Sequence, residues 1–496
     1  AAQNITTGDD NVALGRAALF TATTVSDLVA VGKNALYANT SGTSNTALGY
    51  ESQAATTTGA NNTSVGYNSL VSNTTGASNT AVGSIALASL TTANSNTAVG
   101  YNALNAATTG ANNTAIGAGS ADLLTTGDGN VAVGSASLDA TTTGDDNTAV
   151  GMHALGSNTT ASDNTAFGRS TLANNTTGTR NVAVGRSALS LNTTDTDNTA
   201  LGYYALKTLN GAYYSVAVGT YAGEDVTTGI NNTFVGYASG KNTTTGANNV
   251  AIGSAAFDGN TTASDNIAIG LDALGGSNTS SNNIAIGNGS MGANTSGSGV
   301  AIGKDALSQQ STGGSNTAVG YKALEQNTTG SNNTAIGNAT LDANTTNGGS
   351  TAVGDSALTA SNGGYYNTAI GYQAADALTT GIESVFVGRA SGTAVTTGHY
   401  NSCLGASSGS AITTGSSNVF LGKDAGDGTT TGGQNICIGQ NANNSVATAS
   451  NAIVIGHDIA HASDYFTFGK ASNIVYNNFT ANNNWTYNSD ARLKTD

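Results

Sequence analysis

The stretch Asn96-Thr97-Ala98-Val99-Gly100-Tyr101-Asn102-Ala103-Leu104-Asn105-Ala106-Ala107-Thr108-Thr109-Gly110-Ala111-Asn112 returns, with small changes, along most of the chain. Its first glycine marks the period. Gly15, Gly32, Gly49, Gly66 and Gly83 precede Gly100 at steps of seventeen residues, and the series runs on to Gly287. One residue is dropped before Gly303, after which the step resumes to Gly456, giving twenty-seven marked turns. A constant period over this length describes one small unit stacked on itself and makes a catalytic domain inside it improbable.

Within the unit, the five residues ending at Gly100 alternate with the period of a β-strand, so Thr97 and Val99 share one face and Asn96, Ala98 and Gly100 the other. A second short strand is expected at Ala103 and Leu104, and the Thr108 to Asn112 segment has turn chemistry, with Gly110 free to take a positive φ. Seventeen residues are too few for two helices and suit two short strands with two turns. The expected fold is all-β, a parallel β-solenoid with seventeen-residue turns. At roughly 4.8 Å per turn it would form a rod on the order of 130 Å long.

The columns of the repeat carry further expectations. The Val/Ile column before the glycine and the Leu column four residues after it (Leu19, Leu36, Leu70, Leu87, Leu104) are expected to form a thin core. The Asn column reads as a stacked amide ladder. The persistently small column two residues before the glycine, including Ala98, Ala115 and Ala132, suggests close approach by another backbone, and hence a homotrimer with this column on its axis. Phe386, Cys403, Phe420 and Cys437 stand in the same column and predict an axis that widens into a larger apolar core. The two cysteines, two turns apart, would be separated by roughly 9.6 Å, beyond disulfide reach.

Composition agrees with a repeat. The 496 residues include 67 glycines and no proline, and only 9% are charged. Such a polar chain could pass for disorder, but the periodic Val, Ile and Leu argue against that. The net charge of -15, with no polybasic run, speaks against nucleic-acid binding. No window approaches the apolar length of a membrane helix, so no membrane insertion is expected. Residues Thr6 to Gly15 already match Thr142 to Gly151, and the chain is therefore expected to start in mid-array.

Candidate contact residues stand out against the consensus. The position after the repeat glycine is often aromatic (Tyr50, Tyr67, Tyr101, Tyr237) or basic (Arg16, Lys33, Arg186, Lys304). This column reads either as a receptor-binding stripe or as a ladder of stacked rings and cations shielding the turn. The pairs Tyr203 and Tyr204, Tyr213 and Tyr214, and Tyr365 and Tyr366 are candidate glycan contacts. His457 and His461 have a metal-like spacing but no third ligand in pattern. The scattered Asp145, Asp146, Asp163, Asp195 and Asp197 follow no calcium-loop pattern. No metal and no cofactor are expected, nor an enzyme, because the glycines lack the strand-then-helix context of a nucleotide motif.

The Asn-Thr-Ala-Val-Gly and Asn-Thr-Ala-Ile-Gly turns over residues 1–456 resemble the head repeats of YadA-like trimeric autotransporter adhesins. That resemblance implies a left-handed β-roll in each of three chains, with the small residue facing the threefold axis; the adhesin repeat is shorter. A second resemblance lies in the tail. The aromatic-rich segment 457–488, ending in Asn478-Phe479-Thr480-Ala481-Asn482-Asn483-Asn484-Trp485-Thr486, and the following Ser489-Asp490-Ala491-Arg492-Leu493-Lys494 look like the junction to the intramolecular chaperone of phage endosialidases and tail fibres. It implies a cap at 457–488 and a chaperone start at 489–496, with Ser489 and Lys494 as its self-cleavage dyad and the chaperone body downstream.

Together these resemblances imply a homotrimeric phage tail fibre or spike in the virion tail. It would contact other tail proteins and attach to a bacterial surface receptor, a glycan or an outer-membrane component, through many weak contacts. The alternative is the head or stalk of a trimeric adhesin on a bacterial cell surface. A monomeric ice-binding solenoid would need a flat Thr-x-Thr array, whereas adjacent Thr pairs such as Thr108-Thr109 alternate faces.

Overall fold

The computed structural model describes all residues except 277, 278, 296, 481–485 and 489–496, and for 486–488 the backbone alone. Ser489 and Lys494 therefore lie outside the described residues. The described chain contains β-strands and no helix, and the fold is a parallel β-solenoid of seventeen-residue turns. It divides into two compact units, Ala1–Asn249 and Val250–Asp496.

In the first unit three-residue strands recur from Val12–Leu14 to Thr233–Val235. Each but the last pairs in parallel with the strand one repeat on. Thr97, Ala98 and Val99 stand opposite Thr114, Ala115 and Ile116. The second unit continues the pattern from Val250–Ile252 to Ile436–Ile438. Its sixteen-residue step keeps the register, Ile284 opposite Val300 and Ile286 opposite Ile302. The missing residue is thus absorbed outside the strands.

Repetition ends after Ile453–His457. That strand pairs in parallel with Tyr465–Lys470, which is antiparallel to Asn473–Asn478, itself antiparallel to Thr486–Asn488. A separate pairing joins Ala442–Asn444 to Ile459–His461.

The second expected strand is not formed. Ala103 and Leu104 lie in a run of turns, where Asn102 and Leu104 take φ of 57° and 50°. Alternating left-handed residues point successive peptide groups along the stacking direction. Asn102 donates back to the Ser84 carbonyl at 3.2 Å, and Leu104 donates forward to that of Ser120 at 3.0 Å. Satisfied backbone groups and the burial of leucine offset the cost of left-handed β-carbons. Gly110 is not left-handed either; Asn112 is, at φ 59°. A side chain at Gly110 would meet the Gly127 carbonyl oxygen at 2.4 Å, so close stacking, not φ, requires that glycine.

The core also differs from the expected one. Asn96, Ala98, Ala103, Leu104 and Ala107 are fully buried, whereas Val99 is 36% and Ile116 42% exposed. The Leu column is inside as expected, but the Val/Ile column faces out. Ala98, Ala115 and Ala132 are closed within a single chain, and so are Phe386, Cys403, Phe420 and Cys437. The side chains assigned to a trimer axis have no surface to offer a second copy. Alternation decides this: with Asn96 turned inward to bond its neighbours, Ala98 must follow it, and the narrow space opposite Leu104 admits only a methyl group.

The phenylalanines do not widen an axis. Each fills space left where the Leu column is glycine: a β-carbon on Gly392 would lie 2.3 Å from the Phe386 ring, on Gly426 2.1 Å from Phe420, and on Gly240 2.4 Å from Phe234. Large and small have exchanged places across the interior.

Candidate functional site

Two outward features can meet a partner. The first is the face of the sheet that carries the Thr and Val/Ile columns. Strand residues such as Leu14, Val99, Phe167 and Leu201 in the first unit, and Ile252, Ile336, Leu404 and Leu421 in the second, are exposed large apolar side chains on this face. A solenoid whose core is already closed gains nothing from this stripe in a single chain, and its exposed members, interspersed with half-buried ones, make the face a candidate for contact with a partner.

The second feature is in the first unit, on the edge just after the repeat glycine. Tyr203 and Tyr204 stack with ring centres 4.0 Å apart. The structure joins to them residues that the sequence did not single out as a group. Tyr221 packs 5.5 Å from Tyr203 and 6.0 Å from Tyr204, and Tyr237 lies 6.1 Å from Tyr221. Arg186 sits 5.9 Å over Tyr203, Lys207 4.4 Å over Tyr204 and Lys241 5.3 Å over Tyr221. Glu224 lies between the two lysines, at 3.6 and 3.8 Å. The hydroxyl contact with Tyr204 raises the Tyr203 pKa above the ordinary phenol value. These columns, one, two and five residues after the glycine, come together only once stacking is known; seventeen-residue addition from Tyr204 to Tyr221 and from Lys207 to Glu224 to Lys241 is the signal that could have found them.

The other tyrosine pairs stand apart from this cluster. Tyr213 and Tyr214 meet edge to face at 5.9 Å in the polar turn. Tyr365 and Tyr366 occupy the same repeat position in the second unit, their centres 6.3 Å apart. Both pairs are exposed. The basic and aromatic column behaves elsewhere as a sparse ladder, for example Lys33 over Tyr50 at 5.0 Å and Tyr50 on Tyr67 at 5.3 Å.

Among the described residues no three His, Cys, Asp or Glu side chains gather as a metal site. His457 Nδ1 is 2.8 Å from Asp458. His461 packs on Tyr465 at 4.0 Å and Tyr476 at 4.8 Å, and burial holds its pKa below the usual imidazole value. Asp195 is turned inward, accepting the Gly211 N–H at 2.7 Å, and burial raises its pKa. Asp197 forms an exposed ion pair with Arg180 at 2.7 Å. Among the described residues no helix is long and apolar enough to cross a membrane.

No protein-family model matches the chain, and no curated protein matches it.

Proposed function

We propose that this chain is the structural shaft of a homotrimeric phage tail fibre or spike that attaches to a bacterial surface through many weak contacts. The observation that carries the reading is the outward apolar stripe. It replaces the Ala column as the surface on which copies pack. Apolar residues of similar size recur at each turn, and a repeat that buries its own core yet leaves Val, Ile and Leu outside fits side-by-side association of copies. The tail residues 478–494 support a fibre through their likeness to chaperone junctions. The Asn-Thr-Ala-Val-Gly turns favour the second reading, a trimeric adhesin head or stalk on a bacterial cell.

Light scattering coupled to size exclusion tests the assembly. The expected native mass is three times the 48.5 kDa chain, and a folded monomer overturns the reading. Expression with the downstream coding sequence separates the two origins: a chaperone that cleaves itself away supports the phage fibre, and a membrane-anchoring barrel supports the adhesin.

A further inference from the structure

We propose that Tyr203, Tyr204, Tyr221, Tyr237, Arg186, Lys207 and Lys241 form a binding site for a saccharide chain bearing carboxylates; the proposal rests on the attachment reading for why such a site is present.

Three observations carry it. The first is the residue type at a left-handed position. The position two after the repeat glycine is left-handed, and most turns place there a short side chain such as Asn34, Asn102, Ser170 or Ser187. Tyr204 and Tyr221 are the only tyrosines in that column, on consecutive turns, both at φ 59°. Ile85, His153 and Lys322 show that the inter-turn bonds tolerate a long side chain here. They do so for Tyr204 and Tyr221, whose N–H groups donate to the Arg186 and Tyr203 carbonyls at 3.2 and 2.9 Å. What sets these two turns apart is an aromatic ring at a position that most turns fill with a short residue. Nothing in the core requires these two, since both project from the edge and neither is among the buried residues.

The second observation is the density of rings. Four tyrosines occupy three consecutive turns, a span of roughly 10 Å, and Tyr237 remains 59% exposed. Rings presented on a rigid edge are the surface on which the apolar faces of pyranose rings stack. Binding there orders little, because tyrosine has few rotatable bonds.

The third observation is charge. In a chain of net charge -15, three cations converge on these rings. The carboxylates beside them are Glu224 and its neighbour Asp225, and Glu224 is already shared by two lysines. The cations are held by exposed cation–π contacts worth only about 0.5–1 kcal/mol each, so they can turn to a ligand carboxylate without loss of the fold. The aromatic faces fix the sugar ring, and the cations select the acidic one.

The test is calorimetric titration of the full chain with oligogalacturonate and, in parallel, with a neutral dextran oligomer of equal length. Oligogalacturonate is expected to bind at least tenfold more tightly than dextran and to weaken with added salt. Tyr204→Asn, which keeps a residue suited to the left-handed position, and Lys207→Met are each expected to weaken binding about tenfold with an unchanged melting temperature. Tyr101→Ala, at an exposed tyrosine outside the cluster, is expected to leave binding as it was. Equal binding of both oligomers, no binding of oligogalacturonate, or full binding by both cluster variants overturns the proposal. The outcome is separable from that of the fibre reading: a trimer that fails to bind removes this site alone, and a monomer that binds removes the packing alone.

Discussion

The side-chain Oδ1 of Asn96 accepts the backbone N–H of Asn113, one turn on, at 2.9 Å, while its Nδ2 donates to the Gly110 carbonyl at 2.9 Å. Asn113 repeats both bonds with Asn130 and Gly127, each at 2.8 Å. Each buried amide thus replaces the solvent that strand ends and turns would otherwise need. Asn113→Ala strands the Asn130 N–H and removes a donor from the Gly127 carbonyl, at about 1–3 kcal/mol per buried group. Asn113→Ser is expected to recover part of the loss, since Ser215 naturally accepts from the Asn232 N–H at 3.3 Å. Denaturant unfolding of the two variants checks the order; equal stability of Ala and Ser would refute it.

Glycines in the chain are not equivalent. A β-carbon on Gly100 would meet the Gly117 carbonyl oxygen at 2.4 Å with φ at +140°, whereas at Gly119 it would find open space at φ +63°. Gly100→Ala is expected to destabilise by more than about 3 kcal/mol, the sum of strain and a backbone clash. Gly119→Asn, at a position that other turns fill with asparagine, is expected to change stability by less than about 0.5 kcal/mol. Thermal melts of both variants give the comparison.

The period, the strand and the amide ladder were legible because each depends on local alternation and on a spacing that stacking must honour. The inside and outside of the strand were not, because Thr97-Ala98-Val99 alternates equally well either way round. Hydrophobicity favoured Val99 for the interior, and the hydrogen-bonding requirement of Asn96 overruled it. The Ala103-Leu104 segment was misread for a related reason: leucine at positive φ is rare, and only the inter-turn bonds from Asn102 and Leu104 make it tolerable. The cluster around Tyr204 was half legible, since the paired tyrosines stood out while Tyr221 and Lys241 joined them only through the third dimension.

The apolar stripe gives a test by charge insertion. Leu201 is 45% exposed on the outward face, so Leu201→Glu leaves the core of a single chain untouched. In an assembly packed on that face it buries an unpaired carboxylate, which is strongly unfavourable. The native mass of this variant is expected to fall while its strand content by circular dichroism is kept. An unchanged trimer mass would place the interface elsewhere.

Cys403 and Cys437 are buried free thiols. Burial pushes the Cys437 thiol up to about 12 and raises that of Cys403 further. The raised folded-state pKa favours the neutral form, so this contribution to stability is full below the ordinary thiol pKa near 8.5 and is lost as pH rises above it. Native protein at pH 8 is expected to resist a thiol-reactive dye, with both thiols reacting in denaturant. Stability is expected to decline between about pH 8.5 and 10 more steeply than in the double Cys→Ala variant. Rapid labelling of the native chain would contradict the burial.

Phe386 and Gly392 supply the sharpest test of how the interior is specified. The pair inverts the usual Ala and Leu, as in Ala352 and Leu358, and Gly392 holds φ +63°, close to the 52° of Leu358. Phe386→Ala alone leaves a ring-sized cavity and is expected to cost about 3–5 kcal/mol. Gly392→Leu alone drives a side chain into the phenylalanine ring, at about 1–3 kcal/mol or more. Combining them rebuilds the consensus turn, so the double variant is expected to be more stable than Phe386→Ala and the two changes to be coupled by more than about 1 kcal/mol. Simple additivity in denaturant unfolding would show that the two side chains do not compete for one space.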